Sequence, residues 1–137
     1  DEIAQKVAEL SKKGIDIRMT SWIKDINEFN AGLDIICLTS NNEGTPVSII
    51  EAQASQVPIV STNVGGVQNV MIDNVTGFIV PKNNARIFAD KLLVLIENEA
   101  LRNEMGQKGW SFVKERFHFE RLVKDMAHYY KELLTKK

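Results

Sequence analysis

Three short apolar runs constrain this chain more than any other feature: Asp34-Ile35-Ile36-Cys37-Leu38-Thr39, Pro58-Ile59-Val60-Ser61-Thr62 and Phe78-Ile79-Val80. Each has the length of a strand, and none alternates strictly between apolar and polar residues. Strands written this way need cover on both faces. A parallel α/β sheet provides that cover, and a one-sided antiparallel sheet does not.

Around these runs the apolar period changes to that of a helix. Residues 1–13 place Ile3, Val7 and Leu10 at helical spacing, and Gly14 follows two lysines as a stop. Ile15-Asp16-Ile17-Arg18-Met19 alternates, which predicts a half-exposed or edge strand over 15–20 that ends near Ser21-Trp22. A short helix is expected over 25–33, with Ile26, Phe29 and Leu33 inward and Asp25 or Lys24 near its start. Pro46 opens a helix to about Val57, and one or two turns fit 67–72. Asp73 to Gly77 reads as a turn, Pro81 ends the strand before it, and Asn84 caps the next helix, with Ile87, Leu92, Val94 and Leu95 at or near its inward face. Helices over 99–117 and 119–134 follow, the last with Leu122, Met126, Tyr129 and Leu133 on one stripe. The alternation predicts an α/β fold. Its form is a Rossmann-like, doubly wound parallel sheet of about four strands, near 15–20, 34–39, 58–62 and 78–80, with helices at the carboxyl end of the chain.

Composition narrows the classes of function. A chain of 137 residues with 44% apolar residues suits one globular domain, residues 1–137. The net charge of −1 offers no basic field for nucleic acid. No apolar run approaches the roughly 20 residues of a membrane span. The single cysteine, Cys37, lies in a strand pattern, which excludes an internal disulfide, predicts a buried reduced thiol and favours the cytoplasm. Asp1 follows no leader layout and reads as a boundary within a longer polypeptide.

The chemistry concentrates in Asn41 to Glu51, where a strand hands over to a helix. Thr45 suits an N-cap and Pro46 a first helical residue, so the amides of Gly44, Val47 and Ser48 would surround a positive helix end suited to phosphate. Gly65-Gly66 offers a second amide-rich turn at the neighbouring strand end, and a diphosphate would sit between the two. Glu43 lies in the loop. Glu51 lies roughly 7–8 Å along the helix from Pro46. Its apolar neighbours Ile49, Ile50, Ala52 and Ala54 imply a buried carboxylate that needs donors, and vicinal sugar hydroxyls supply two. The carboxyl ends of the strands, where such sheets bind ligands, bring Trp22, residues 39–45, residues 62–66 and Pro81 to one rim.

Taken singly, these residues also have plain structural readings. Glu51 fits a solvated or paired helix acid, Glu43 a loop acid and Gly65-Gly66 a turn; Trp22 and Trp110 fit packing residues, with Trp22 also placed to line the site. His118 and His128 read as surface or capping residues, and no motif has metal-ligand spacing.

As a whole, NNEGTPVSIIEAQASQVPIVSTNVGG resembles the signature of glycosyltransferase family 4, retaining nucleotide-sugar-dependent transferases of GT-B fold. The likeness consists of a Glu-Gly-x-Pro turn, a second Glu eight positions after the first, a Pro-opened strand and a Gly-Gly turn. It extends to Trp22, Asp34, Thr76-Gly77-Phe78-Ile79-Val80-Pro81 and Glu115-Arg116-Phe117, and so covers nearly the whole chain.

The resemblance implies transfer of a sugar from a nucleoside-diphosphate sugar to an acceptor, in polysaccharide or glycolipid synthesis. By it, Glu43 is the catalytic residue beside the donor sugar, Glu51 binds the ribose, and Gly44, Thr45, Pro46 and Val47 cradle sugar and phosphate. Trp22 would lie by the base, Gly65 and Gly66 would complete the donor site, and no cofactor or metal is needed. The family usually has Gly where this chain has Ser21 and Gln56, and Glu where it has Asn69. It also implies that the chain is the carboxyl-terminal donor-binding part of a GT-B protein. The basic donor clamp, two inner strands and the acceptor-binding domain would lie outside residues 1–137. Three expectations follow: the part alone does not turn over, its exposed sheet edges rearrange or pair with a second copy, and the whole protein is cytoplasmic or peripheral to the membrane. Two alternatives remain open: a non-catalytic α/β binding module, and a GT-B sugar-nucleotide epimerase, against which the eight-residue glutamate spacing argues.

Overall fold

The computed structural model describes residues 2–136. Its helices are α1 (Glu2–Lys12), α2 (Ile26–Ala31), α3 (Val47–Ala54), α4 (Val67–Val70), α5 (Ala85–Glu97), α6 (Glu99–Arg116) and α7 (Phe119–Thr135). Its strands are β1 (Ile36–Leu38), β2 (Ile59–Thr62) and β3 (Gly77–Val80). Asp1, the first residue of the expected amino-terminal helix, lies outside the described residues.

Local chemistry explains most boundaries. Gly14, after α1, takes φ +83°, where a side chain is strained. Asp25 accepts the Glu28 N–H at 3.2 Å, Asn84 the Ile87 N–H at 3.1 Å and Asn98 the Leu101 N–H at 2.9 Å, which caps α2, α5 and α6. His118 Nδ1 accepts the Glu120 N–H at 3.3 Å at the start of α7. At the end of α3, Val57 N–H donates to Ala52 O and Gln56 N–H to Gln53 O, both at 3.0 Å. That is the Schellman pattern, and it puts Gln56 at φ +60°.

The strands pair in parallel in the order β1-β2-β3, with Cys37 opposite Val60 and Val60 opposite Phe78. β2 is central, and all four of its residues are buried. Successive strand residues face opposite sides, so Ile59 and Val60 enter different cores. Ile59 packs with Ile49 and Ala52 of α3 and Val67 and Val70 of α4. Val60 packs with Phe78, Val80, Leu95 of α5 and Met105 of α6. Each such aliphatic side chain contributes about 1.5–3 kcal/mol on burial. The doubly wound parallel reading therefore holds.

Three expectations change. Residues 15–20 form no strand: the segment is irregular, with Ile15 and Met19 exposed, because no described strand lies alongside to complete a ladder. The sheet has three strands instead of about four. Cys37 is exposed where burial was expected, because β1 is an edge strand. Enough protein surrounds its thiol for desolvation to raise the pKa. Ile36 N–H donates to Pro58 O at 3.0 Å, so the Cys37 N–H and C=O point away from β2 to an edge that no described strand occupies.

Two glycines inside α6 prove to be packing positions. A Cβ at Gly106 would overlap the Gln56 carbonyl, and one at Gly109 would lie 3.0 Å from Gln53 Cγ. Small residues let α6 close onto α3. Gln53, fully buried there, donates from Nε2 to Val70 O at 2.6 Å, while its Oε1 has no hydrogen-bond partner among the described residues.

Candidate functional site

The carboxyl ends of β1 and β2 lead into two loops that interlock. Thr62 Oγ1 donates to Ser40 O at 2.6 Å, which ties the end of β2 to the entry of the 41–45 loop. Gly66 N–H then donates to Gly44 O at 2.8 Å. Gly65 has φ +50°, and a Cβ there would overlap the Glu43 carbonyl; one at Gly66 would overlap the Gly44 carbonyl. Both glycines are needed because backbone meets backbone. The sequence suggested a seat between two turns, and the structure joins the turns into one surface.

Helix α3 begins one residue later than expected. Pro46 is its N-cap, at φ −73° and ψ 100°, with no side-chain cap hydrogen bond, so Thr45 is not the cap. Ile49 N–H reaches Pro46 O at 3.2 Å, leaving the Val47 and Ser48 amides without intrahelical partners. These donors stand at the positive end of α3. Pro46 is buried, while Gly44, Thr45 and Val47 are exposed.

Glu43 and Glu51 are both half-buried. A largely buried helix was expected around Glu51, and its half-buried side chain stays accessible. It lines a cavity of about 280 Å³ with Ile26, Phe29, Leu33, Cys37 and Ser48, between α2, β1 and α3. Among the described residues neither carboxylate has a hydrogen-bond or ion-pair partner, and they are not paired with each other. Both are free to accept from a ligand. Trp22 neither packs nor closes the site, because it is 87% exposed beside Ser21, which has φ 56°. Trp110 is likewise partly exposed, with Lys114 Nζ 5.6 Å from its ring centre.

Sequence reasoning missed two features of the rim. Thr62 was read only as a strand end, although it fixes the start of the Glu43 loop. A larger cavity of about 570 Å³ opens on the other sheet face, lined by Thr39, Asn41, Asn83, Phe88 and Leu92 among others. Thr39, Asn41, Thr62 and Pro81 of its lining belong to the rim expected at the strand ends, and Phe88 and Leu92 are an i, i+4 pair on α5.

The chain is 30% identical over 119 residues to the capsular polysaccharide biosynthesis glycosyltransferase CapM of Staphylococcus aureus, covering 87% of this chain and 31% of that protein. A solved glycosyltransferase from Rickettsia africae superposes with a TM-score of 0.87 at 26% identity, over 99% of this chain and 36% of that one. Anabaena HepE in complex with UDP gives a TM-score of 0.88 at 20% identity, over 96% of this chain and 36% of that one, a likeness of fold. The chain thus spans about a third of the length of these proteins. The sequence pattern of the glycosyl transferases group 1 matches residues 2–111, and the chain belongs to that family.

Proposed function

We propose that this chain is the nucleotide-sugar-binding part of a glycosyltransferase that moves a sugar from a nucleoside diphosphate to an acceptor with retention, in polysaccharide or glycolipid synthesis. The observation that carries this reading is a half-buried, unpartnered Glu51 beside the uncapped amino end of α3. CapM acts in capsular polysaccharide biosynthesis by its name, and HepE was solved with UDP, which supports the substrate class.

In this reading Glu51 accepts hydrogen bonds from the two ribose hydroxyls. The Val47 and Ser48 amides hold the diphosphate, whose charge grows as the sugar leaves, and they need no reorganisation to do so. Glu43 stands beside the donor sugar, with Gly44 and Gly66 keeping its loop in place. The amides, with basic side chains supplied from outside residues 1–137, serve where other transferases use a metal ion. The acceptor is bound by polypeptide outside residues 1–137, so these residues bind donor without turning it over. The open β1 edge makes self-association the expected state of the chain.

Calorimetric titration with uridine, guanosine and adenosine diphosphates tests the reading. One nucleotide should bind, and Glu51→Ala should weaken it at least tenfold, the loss of about 1.4 kcal/mol or more from a charge-assisted contact. Binding indifferent to Glu51→Ala would favour a non-catalytic module.

A further inference from the structure

The loop that carries Glu43 leaves an edge strand and is held by the central one. β1 has three residues, and its pairing with β2 stops at Leu38 opposite Ser61. Beyond that point Thr62 takes over with its side chain. Its hydroxyl has one proton to give, and Ser40 O at 2.6 Å lies nearer than Leu38 O at 3.4 Å, so the bond goes to Ser40. Thr62 is 7% exposed at the end of a strand covered on both faces, and its branched Cβ restricts χ1. The direction of that bond is therefore set before any ligand arrives.

On the other side of Glu43, Gly66 N–H donates to Gly44 O at 2.8 Å, and the Gly65 backbone lies against the Glu43 carbonyl. One segment, residues 62–66, thus brackets the Glu43 backbone from both sides. The glycine contacts are made by main chain, and no side chain can adjust them. Among the described residues Thr62 makes the only side-chain hydrogen bonds that cross between the two loops. Glu51 and the Val47 and Ser48 amides belong instead to α3, which is seated on Ile59 through Ile49 and Ala52. The groups assigned to the nucleotide and the group assigned to the sugar therefore stand on different supports.

We propose that Thr62 is a positioning residue for Glu43: its hydroxyl sets where that carboxylate meets the donor sugar, and so governs recognition of the sugar without contact to the nucleotide. The proposal rests on the donor-site reading above. Calorimetry on the full chain tests it with the nucleoside diphosphate that binds and with its glucose, galactose, mannose and N-acetylglucosamine conjugates. One conjugate should bind more tightly than the bare diphosphate. Thr62→Val keeps the branched shape but leaves Ser40 O without its donor. It should weaken that conjugate about tenfold and the diphosphate by less than about twofold, with unchanged far-ultraviolet circular dichroism. Hydrogen exchange should quicken at residues 41–45 and stay as it was in α3. Thr62→Ala should behave as Thr62→Val, and Thr62→Ser, which keeps the hydroxyl, should restore both readouts. A loss shared equally by conjugate and diphosphate, or no loss with either, would overturn the proposal, as would a wild-type chain that binds the diphosphate and prefers no conjugate. A wild-type chain that binds no nucleotide would overturn the donor-site reading itself, and the proposal with it.

Discussion

Gln56 ends α3 in a conformation that glycine adopts without strain and glutamine does not. Gln56→Gly should therefore stabilise the chain by about 1 kcal/mol, seen as a higher urea midpoint at unchanged slope. The Gly expected at this position on resemblance has a local reason: the Schellman closure needs a positive φ whichever residue supplies it. Gln53 behaves differently. Gln53→Ala removes the donor to Val70 O and opens a cavity, and should cost about 2–4 kcal/mol by the same measurement. At Cys37, desolvation favours the neutral thiol. Alkylation by iodoacetamide at pH 8 should be slower in the native chain than in urea, with an apparent pKa shifted upward on folding.

At the scale of elements, caps were the most legible feature, because a cap depends on neighbours only a few residues away. Asn84 and Asp25 act as their positions suggested. Thr45 did not, because the helix begins one residue later, with Pro46 at the cap position. The tie between α5 and α6 shows what lies beyond caps. Arg102 Nη1 donates to Leu95 O at 2.7 Å and to Ile96 O at 3.0 Å, closing the carboxyl end of α5 from the next helix. Arg102→Ala should cost about 1–2 kcal/mol, measurable by thermal unfolding, with the helices otherwise intact. The strand predicted over 15–20 failed for a related reason. Alternation describes a segment suited to a sheet edge, but a strand also requires a neighbour.

For the whole molecule, cover is uneven: β2 has helices over both faces and strands on both sides, while β1 has an open edge and α7 an open face. Native-state hydrogen exchange should follow that order. Amides of β2 should exchange last, and the Cys37 amide and those of α7 early. The amino-acid sequence alone determined which segments are strands, where most helices begin, and that the Glu43 loop and the Gly65-Gly66 turn share one rim, because these follow from residue type and short-range spacing. Only the tertiary structure decided that Gly66 bonds to Gly44, that Thr62 anchors the Glu43 loop, that Gly106 and Gly109 admit α3, and that Cys37 and Glu51 stay accessible. Those outcomes depend on which distant surfaces meet, and on which side of β1 no described strand stands, and no local pattern of residues encodes either.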